Sequence, residues 1–129
     1  MAVLGGNMQI HRAINQSSYR ITKIDDNGIY VNDELVKGAC VLSQDILELT
    51  RWETSNDLTV QSLTQFIEYG HPVWLLGTGN RSEFPPVQLI SELRELGVGL
   101  EVMDNFSAAR TYEVLSSEGR KVMAIFLPM

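Results

Sequence analysis

The distribution of apolar and polar residues divides the chain into two halves with different periods. Through "YRITKIDDNGIYVNDELVKGACVLS" (19–43) the two classes alternate. Turns are marked by Asp26-Asn27-Gly28 and by Asn32-Asp33, residue types that tolerate positive φ. A period of two is that of a half-buried strand, so this stretch predicts a small antiparallel β unit. "DILELTRW" continues extended, with Ile46 or Leu47, Leu49 and Trp52 as candidates for burial.

After Asn56 the period lengthens. Val60, Leu63, Phe66 and Ile67 recur at helical spacing behind Asp57 or Thr59, either of which can cap the first turn, and Gly70 suits a left-handed C-terminal residue. A helix of about three turns follows. Pro72 to Leu76 then reads as a buried strand, "GTGNRSEF" as a loop, and Pro85-Pro86 as the opening of a second helix. Its stripe is Leu89, Ile90, Leu93 and Leu96, and Gly97 ends it. "VGLEVM" reads as a strand, "SAARTYEVLSS" as a helix with Ala108, Tyr112 and Leu115 on one side, and "KVMAIFLP" as a last strand. Strands alternating with helices imply a sheet covered on both faces, with the β-rich first part as an edge or separate layer. The fold class is therefore α/β: three layers, a central mixed sheet with helices on both faces, and a small antiparallel β layer from the N-terminal half. "MAVLGGNMQIHRAINQS" shows no sustained period and reads as a loose arm over 1–17, leaving 18–129 as one α/β domain.

At 129 residues the chain suits one hydrophobic core, stable without disulfides or a structural metal. Its formal charge of −6 and scattered Lys and Arg disfavour a nucleic-acid partner, because phosphate neutralisation needs clustered cations. No apolar run is long enough to span a bilayer, so a protein that is not integral to a membrane is expected. One cysteine permits no internal bridge and leans toward a reducing, cytoplasmic compartment.

Candidate chemistry centres on "VWLLGTG" (73–79). A phosphate cradle needs glycines for close approach, consecutive N–H donors, and usually a cation or helix N-terminus directly after. Ser82 stands where a third glycine would be required, the Gly-Lys-Ser/Thr ending is missing, and Pro85 and Pro86 remove donors from the helix entry. Gly77 and Gly79 therefore read first as a turn that lets backbone pack closely. The rival reading is a weak pocket for a small anion or organic acid. It would be built from Gly77, Thr78, Gly79, Arg81, Glu101 and Arg110, and it requires the strands of Leu76 and Glu101 to be adjacent and parallel. The plainer reading of the last two residues has Asp104 or Asn105 capping the final helix while Arg110 pairs with Glu113 or a nearby carboxylate. His11, His71 and Cys40 have no metal-ligand spacing, and no nucleophile elbow occurs, so no metal, cofactor or catalytic residue is assigned.

The stretch "GVGLEVMDNFSAARTYEVLSSEGRKVMAIFLP", with "LLGTG" and "LTRW" upstream, resembles a family of small α/β domains of unknown activity. That family includes a mitochondrial respiratory complex I assembly factor and an adipogenesis-associated cytosolic protein. Gly77, Thr78, Gly79, Gly97, Glu101, Met103, Ala108, Thr111, Tyr112, Glu118 and Arg120 match its pattern, and the likeness runs over about residues 18–128. Asn105 departs from a frequent Thr, and Glu113 from the usual Asn. The resemblance implies a three-layer fold and brings no catalytic residues. It implies partner binding, so the expectation is a non-enzymatic interaction or assembly module with a protein partner or self-association.

Overall fold

The computed structural model describes residues 2–4, 8–12 and 18–129. In chain order the strands are β1 (Ala2–Leu4), β2 (Met8–Arg12), β3 (Ile21–Asp25), β4 (Gly28–Val31), β5 (Glu34–Leu35), β6 (Ala39–Leu42), β7 (Ile46–Thr50), β8 (Val73–Gly77), β9 (Gly99–Met103) and β10 (Val122–Phe126). The helices are α1 (Val60–Ile67), α2 (Val87–Glu95) and α3 (Asn105–Ser117), with a 3-10 turn at Ser55–Asp57. A seven-stranded sheet runs in the order β1-β2-β7-β6-β10-β8-β9, and β3-β4-β5 form a separate three-stranded antiparallel sheet.

The large sheet is mixed. β10 pairs parallel with β8 and β8 parallel with β9, while β10 meets β6, and β6 meets β7, antiparallel. The N-terminal half therefore does two things: β3 to β5 make the added layer, and β6 and β7 enter the central sheet beside the last strand. The stretch expected as a loose arm contributes β1 and β2 at that end of the sheet, where β2 pairs with β7 from Gln9↔Leu49 to Arg12↔Ile46. The outer edge of β7 offers a row of N–H and C=O groups, and backbone pairing there needs no apolar periodicity in the added strand. The remainder of the 1–17 stretch lies outside the described residues.

Alternation along the central strands fills two cores. Cys40, Leu42, Leu75, Val122, Ala124 and Phe126 face α3 and the small sheet, against Ala108, Ala109 and Tyr112. Val41, Trp74, Leu76, Met123 and Ile125 face α1 and α2, against Leu63, Phe66, Leu89 and Leu93. Because both faces are covered, β8 and β10 read as unbroken apolar runs, and all five residues of β10 are buried.

Local signals set the ends of the helices. Thr59, rather than Asp57, caps α1: its side chain accepts from Ser62 N at 3.1 Å, and Ser62 Oγ accepts from Thr59 N. α1 is eight residues, nearer two turns than three, because the chain turns out of it through Gly70 at φ +75°. α2 starts directly after Pro86, and Leu96 follows its last residue and is half-exposed, outside the stripe expected for it.

Candidate functional site

The glycine turn at the end of β8 is held by α3 and the C-terminus. Asp104 accepts from Ser107 N at 2.8 Å and from Ser107 Oγ at 2.9 Å, and these bonds hold its carboxyl below the usual range. It is the cap of α3. Asn105, 2 % exposed, does something else. Its Oδ1 accepts from Gly79 N at 3.0 Å, its Nδ2 donates to Leu127 O at 2.8 Å, and its own N–H donates to Gly79 O at 2.8 Å. One buried amide thus joins the ends of β8 and β10 to the start of α3.

Both glycines are required by that packing. A Cβ on Gly77 would meet Asn105 Oδ1 and lie 3.2 Å from Ala108 Cβ and from Phe126 Cδ1. Gly79 has φ +100°, and a Cβ there would lie 2.8 Å from Pro128 O. Several of the loop's donors are also committed within the protein. Thr78 N donates to Met103 O at 2.9 Å, Gly79 N to Asn105, and Glu83 N to Thr78 Oγ1 at 2.9 Å. Thr78 Oγ1 in turn donates to Arg81 O at 2.7 Å.

The six residues considered for an anion pocket divide. Thr78, Gly79 and Arg81 line a cleft of about 260 Å³ together with Glu53, Glu83 and Pro128. Arg81, strongly exposed, lies 3.6 Å from Glu83, so its charge is shared with a carboxylate of the same cleft. Gly77 is buried and does not line the cleft. Glu101 is on β9 opposite Leu75, the parallel pairing the pocket required, but it is exposed and lines neither this cleft nor the one holding Arg110. Arg110 lies in a separate depression against β3, with Ile24, Phe106 and Glu113.

Glu113 does not pair with Arg110. One oxygen accepts from Arg20, from Nη2 at 2.7 Å and from Nε at 3.0 Å, while the other accepts from Ile21 N at 2.9 Å. Tyr112 adds a bond from its hydroxyl to Tyr19 O at 3.1 Å. Two consecutive residues of α3 therefore clamp the chain where it enters the small sheet. Spacing along the helix favoured Arg110 as the partner; the chain from the far side of the core reaches Glu113 first and supplies a forked donor with it.

Burial pushes the Cys40 thiol up to about 12, so it is a neutral, packed side chain rather than a thiolate. No group of three or more His, Cys, Asp or Glu among the described residues could hold a metal ion. Likewise no helix among them is long and apolar enough to cross a membrane.

Two features, one exposed and one buried, are not anticipated by the sequence pattern. Phe84 is 76 % and Val87 77 % exposed, on either side of Pro85-Pro86 at the entrance to α2. α2 packs on β9, the last strand of the large sheet, whose outer edge carries no partner strand among the described residues. One signal for it stands in the sequence: Phe84 is an aromatic residue that ends an otherwise polar loop directly before two prolines. Glu48 is the other. It is 1 % exposed on β7, and neither carboxylate oxygen has a hydrogen-bond partner among the described residues.

Comparison with known proteins places this architecture. The chain is 36 % identical over 106 residues to NADH dehydrogenase [ubiquinone] 1 alpha subcomplex assembly factor 3 of Danio rerio, with 78 % of this chain and 59 % of that protein covered. The protein of the same name from Homo sapiens is 28 % identical over 123 residues, covering 92 % of this chain and 65 % of that one. The chain thus spans about three fifths of the length of these relatives. A crystal structure of a Bordetella parapertussis protein superposes with a TM-score of 0.80 at 30 % identity, covering 88 % of this chain and 98 % of that one. The match to a family pattern runs over residues 21–127, nearly the whole described α/β unit, and the chain belongs to that family, described as proteins of unknown function DUF498/DUF598.

Proposed function

We propose that the protein is an interaction module serving the assembly of a larger complex, and that it engages its partner through the Phe84–Val87 shoulder beside β9. The exposure of Phe84 and Val87 carries this reading. Two large apolar side chains held out by adjacent prolines lose little conformational freedom on binding, because proline has already fixed the backbone that presents them. Aromatic residues so placed commonly dominate interface energetics. The outer edge of β9, which has no partner strand among the described residues, supplies backbone groups on the strand that α2 packs against. The relatives named as assembly factors support the same reading, and they suggest subunits of an NADH dehydrogenase as the partners to test.

The turn of Thr78 and Gly79 has a different part in this account. Its donors are consumed in joining β8, α3 and the C-terminus, which fixes the base from which the shoulder projects.

The test is genetic complementation in the source organism. Deleting the gene should lower the amount of assembled NADH dehydrogenase on native gels, and the wild-type gene should restore it. A Phe84→Ser/Val87→Ser double variant should accumulate to the wild-type level and fail to restore it. Full restoration by the double variant, or unchanged assembly in the deletion strain, would contradict the proposal.

A further inference from the structure

From the geometry of the groove between the two sheets, we infer that it is a binding site for a small aliphatic carboxylate. The groove has a volume of about 420 Å³, within the range of roughly 300–1,000 Å³ typical of small-molecule sites. It lies away from the glycine turn and from the Phe84–Val87 shoulder. Its apolar lining is Val31, Leu35, Val36, Leu47 and Leu49, all aliphatic. Val31 and Val36 are buried, while Leu35, Leu47 and Leu49 are only partly covered, so the core beneath α3 continues into the groove with apolar surface still facing the opening. α3 packs chiefly on β8, β10 and β3, with a smaller contact to β9. An apolar chain laid in the groove would complete the burial of these leucines without displacing any element.

The rim selects the head of the ligand. It carries Tyr19, Asn32, Glu34 and Lys37. Asn32 Oδ1 already accepts from Arg20 N at 2.9 Å, which leaves its Nδ2 N–H groups as donors. Lys37 makes no ion pair among the described residues. Three donors, the Lys37 ammonium, the Asn32 amide and the Tyr19 hydroxyl, thus stand against one carboxylate, Glu34. A head that accepts hydrogen bonds and carries negative charge fits that rim, and a carboxylate can take two of these donors at once. An aliphatic tail fits the lining better than a planar ring, since no aromatic face other than that of Tyr19 borders the groove.

The experiment is an NMR titration of the isotopically labelled full chain with octanoate, 1-octanol and octylamine, each below its micellar concentration. Octanoate should shift the methyl signals of Val31, Leu35, Leu47 and Leu49 saturably, and bind about tenfold more tightly than either other probe, the usual scale of one charge-assisted hydrogen bond. Lys37 is exposed, so Lys37→Gln leaves the fold intact. It should remove most of the advantage of octanoate over 1-octanol while the same methyls still respond. The inference is overturned by any of three results: no saturable shift, shifts centred on other residues, or a carboxylate preference that survives Lys37→Gln.

Discussion

Asn105 and Gly79 bind each other twice: the Gly79 N–H donates to Asn105 Oδ1 at 3.0 Å and the Asn105 N–H donates to Gly79 O at 2.8 Å. The remaining amide nitrogen of Asn105 donates to Leu127 O, so the side chain is satisfied on both ends inside a buried junction. Asn105→Ala should orphan the Gly79 N–H and the Leu127 carbonyl and cost roughly 2–4 kcal/mol. Asn105→Asp keeps the acceptor but sets a carboxylate against Leu127 O, and should cost at least as much. Urea unfolding checks both: the midpoint should fall with little change in slope.

Packing against that junction makes the two glycines unequal in kind. Gly77→Ala introduces a methyl group against Asn105, Ala108 and Phe126 at an ordinary backbone conformation, and should cost about 1–3 kcal/mol as overpacking. Gly79→Ala adds a strained left-handed backbone to a contact with Pro128 O and should be the more damaging. Thermal unfolding of the two variants side by side gives the order.

Arg20 and Glu113 test how α3 holds the small sheet. Their side chains are 52 % and 25 % exposed, so the ion pair alone should contribute no more than about 1 kcal/mol. Glu113 also takes the Ile21 N–H. Arg20→Ala should therefore be mild, and Glu113→Ala clearly worse. Equal losses in urea unfolding would mean that the Ile21 bond contributes nothing.

Much of this could be read from the chain before its fold was known, and the losses have a common cause. The periods of Val60 to Ile67 and of Leu89 to Leu93, the prolines before α2, and the left-handed glycines after α1 and α2 all act within a few residues, and each of these elements forms where its pattern places it. Arg20 and Glu113 are 93 positions apart, and nothing local marks them as partners. Asn105 beside Asp104 looked like a second candidate cap; only the approach of Gly79 and Leu127 gives it another task. β7 misled in a different way. The pattern of "ILELT" offers Ile46 or Leu47, with Leu49, for the interior; Ile46 is buried, but it shares its depth with Glu48 and Thr50, while Leu47 and Leu49 are only partly covered.

Glu48 has a consequence for pH dependence. Burial pushes its carboxyl above the ordinary range, so between the unfolded and folded pKa values the native state binds more protons than the unfolded chain. The stabilising balance is therefore full below the unfolded pKa and is lost as pH rises through the folded one. Glu48→Gln removes the titration. Its melting temperature should gain on wild type as pH is raised from 4 toward 8, and a gap that stays constant across that range would show that Glu48 is not desolvated.

The most direct measurement of the interaction account places p-benzoylphenylalanine at position 84 and irradiates intact cells, with the same probe at exposed Glu118 as control. The account predicts a discrete cross-link from position 84 to an NADH dehydrogenase subunit and none from position 118. A cross-link to that subunit from both positions alike, or from neither while the protein is present at its normal level, would contradict it.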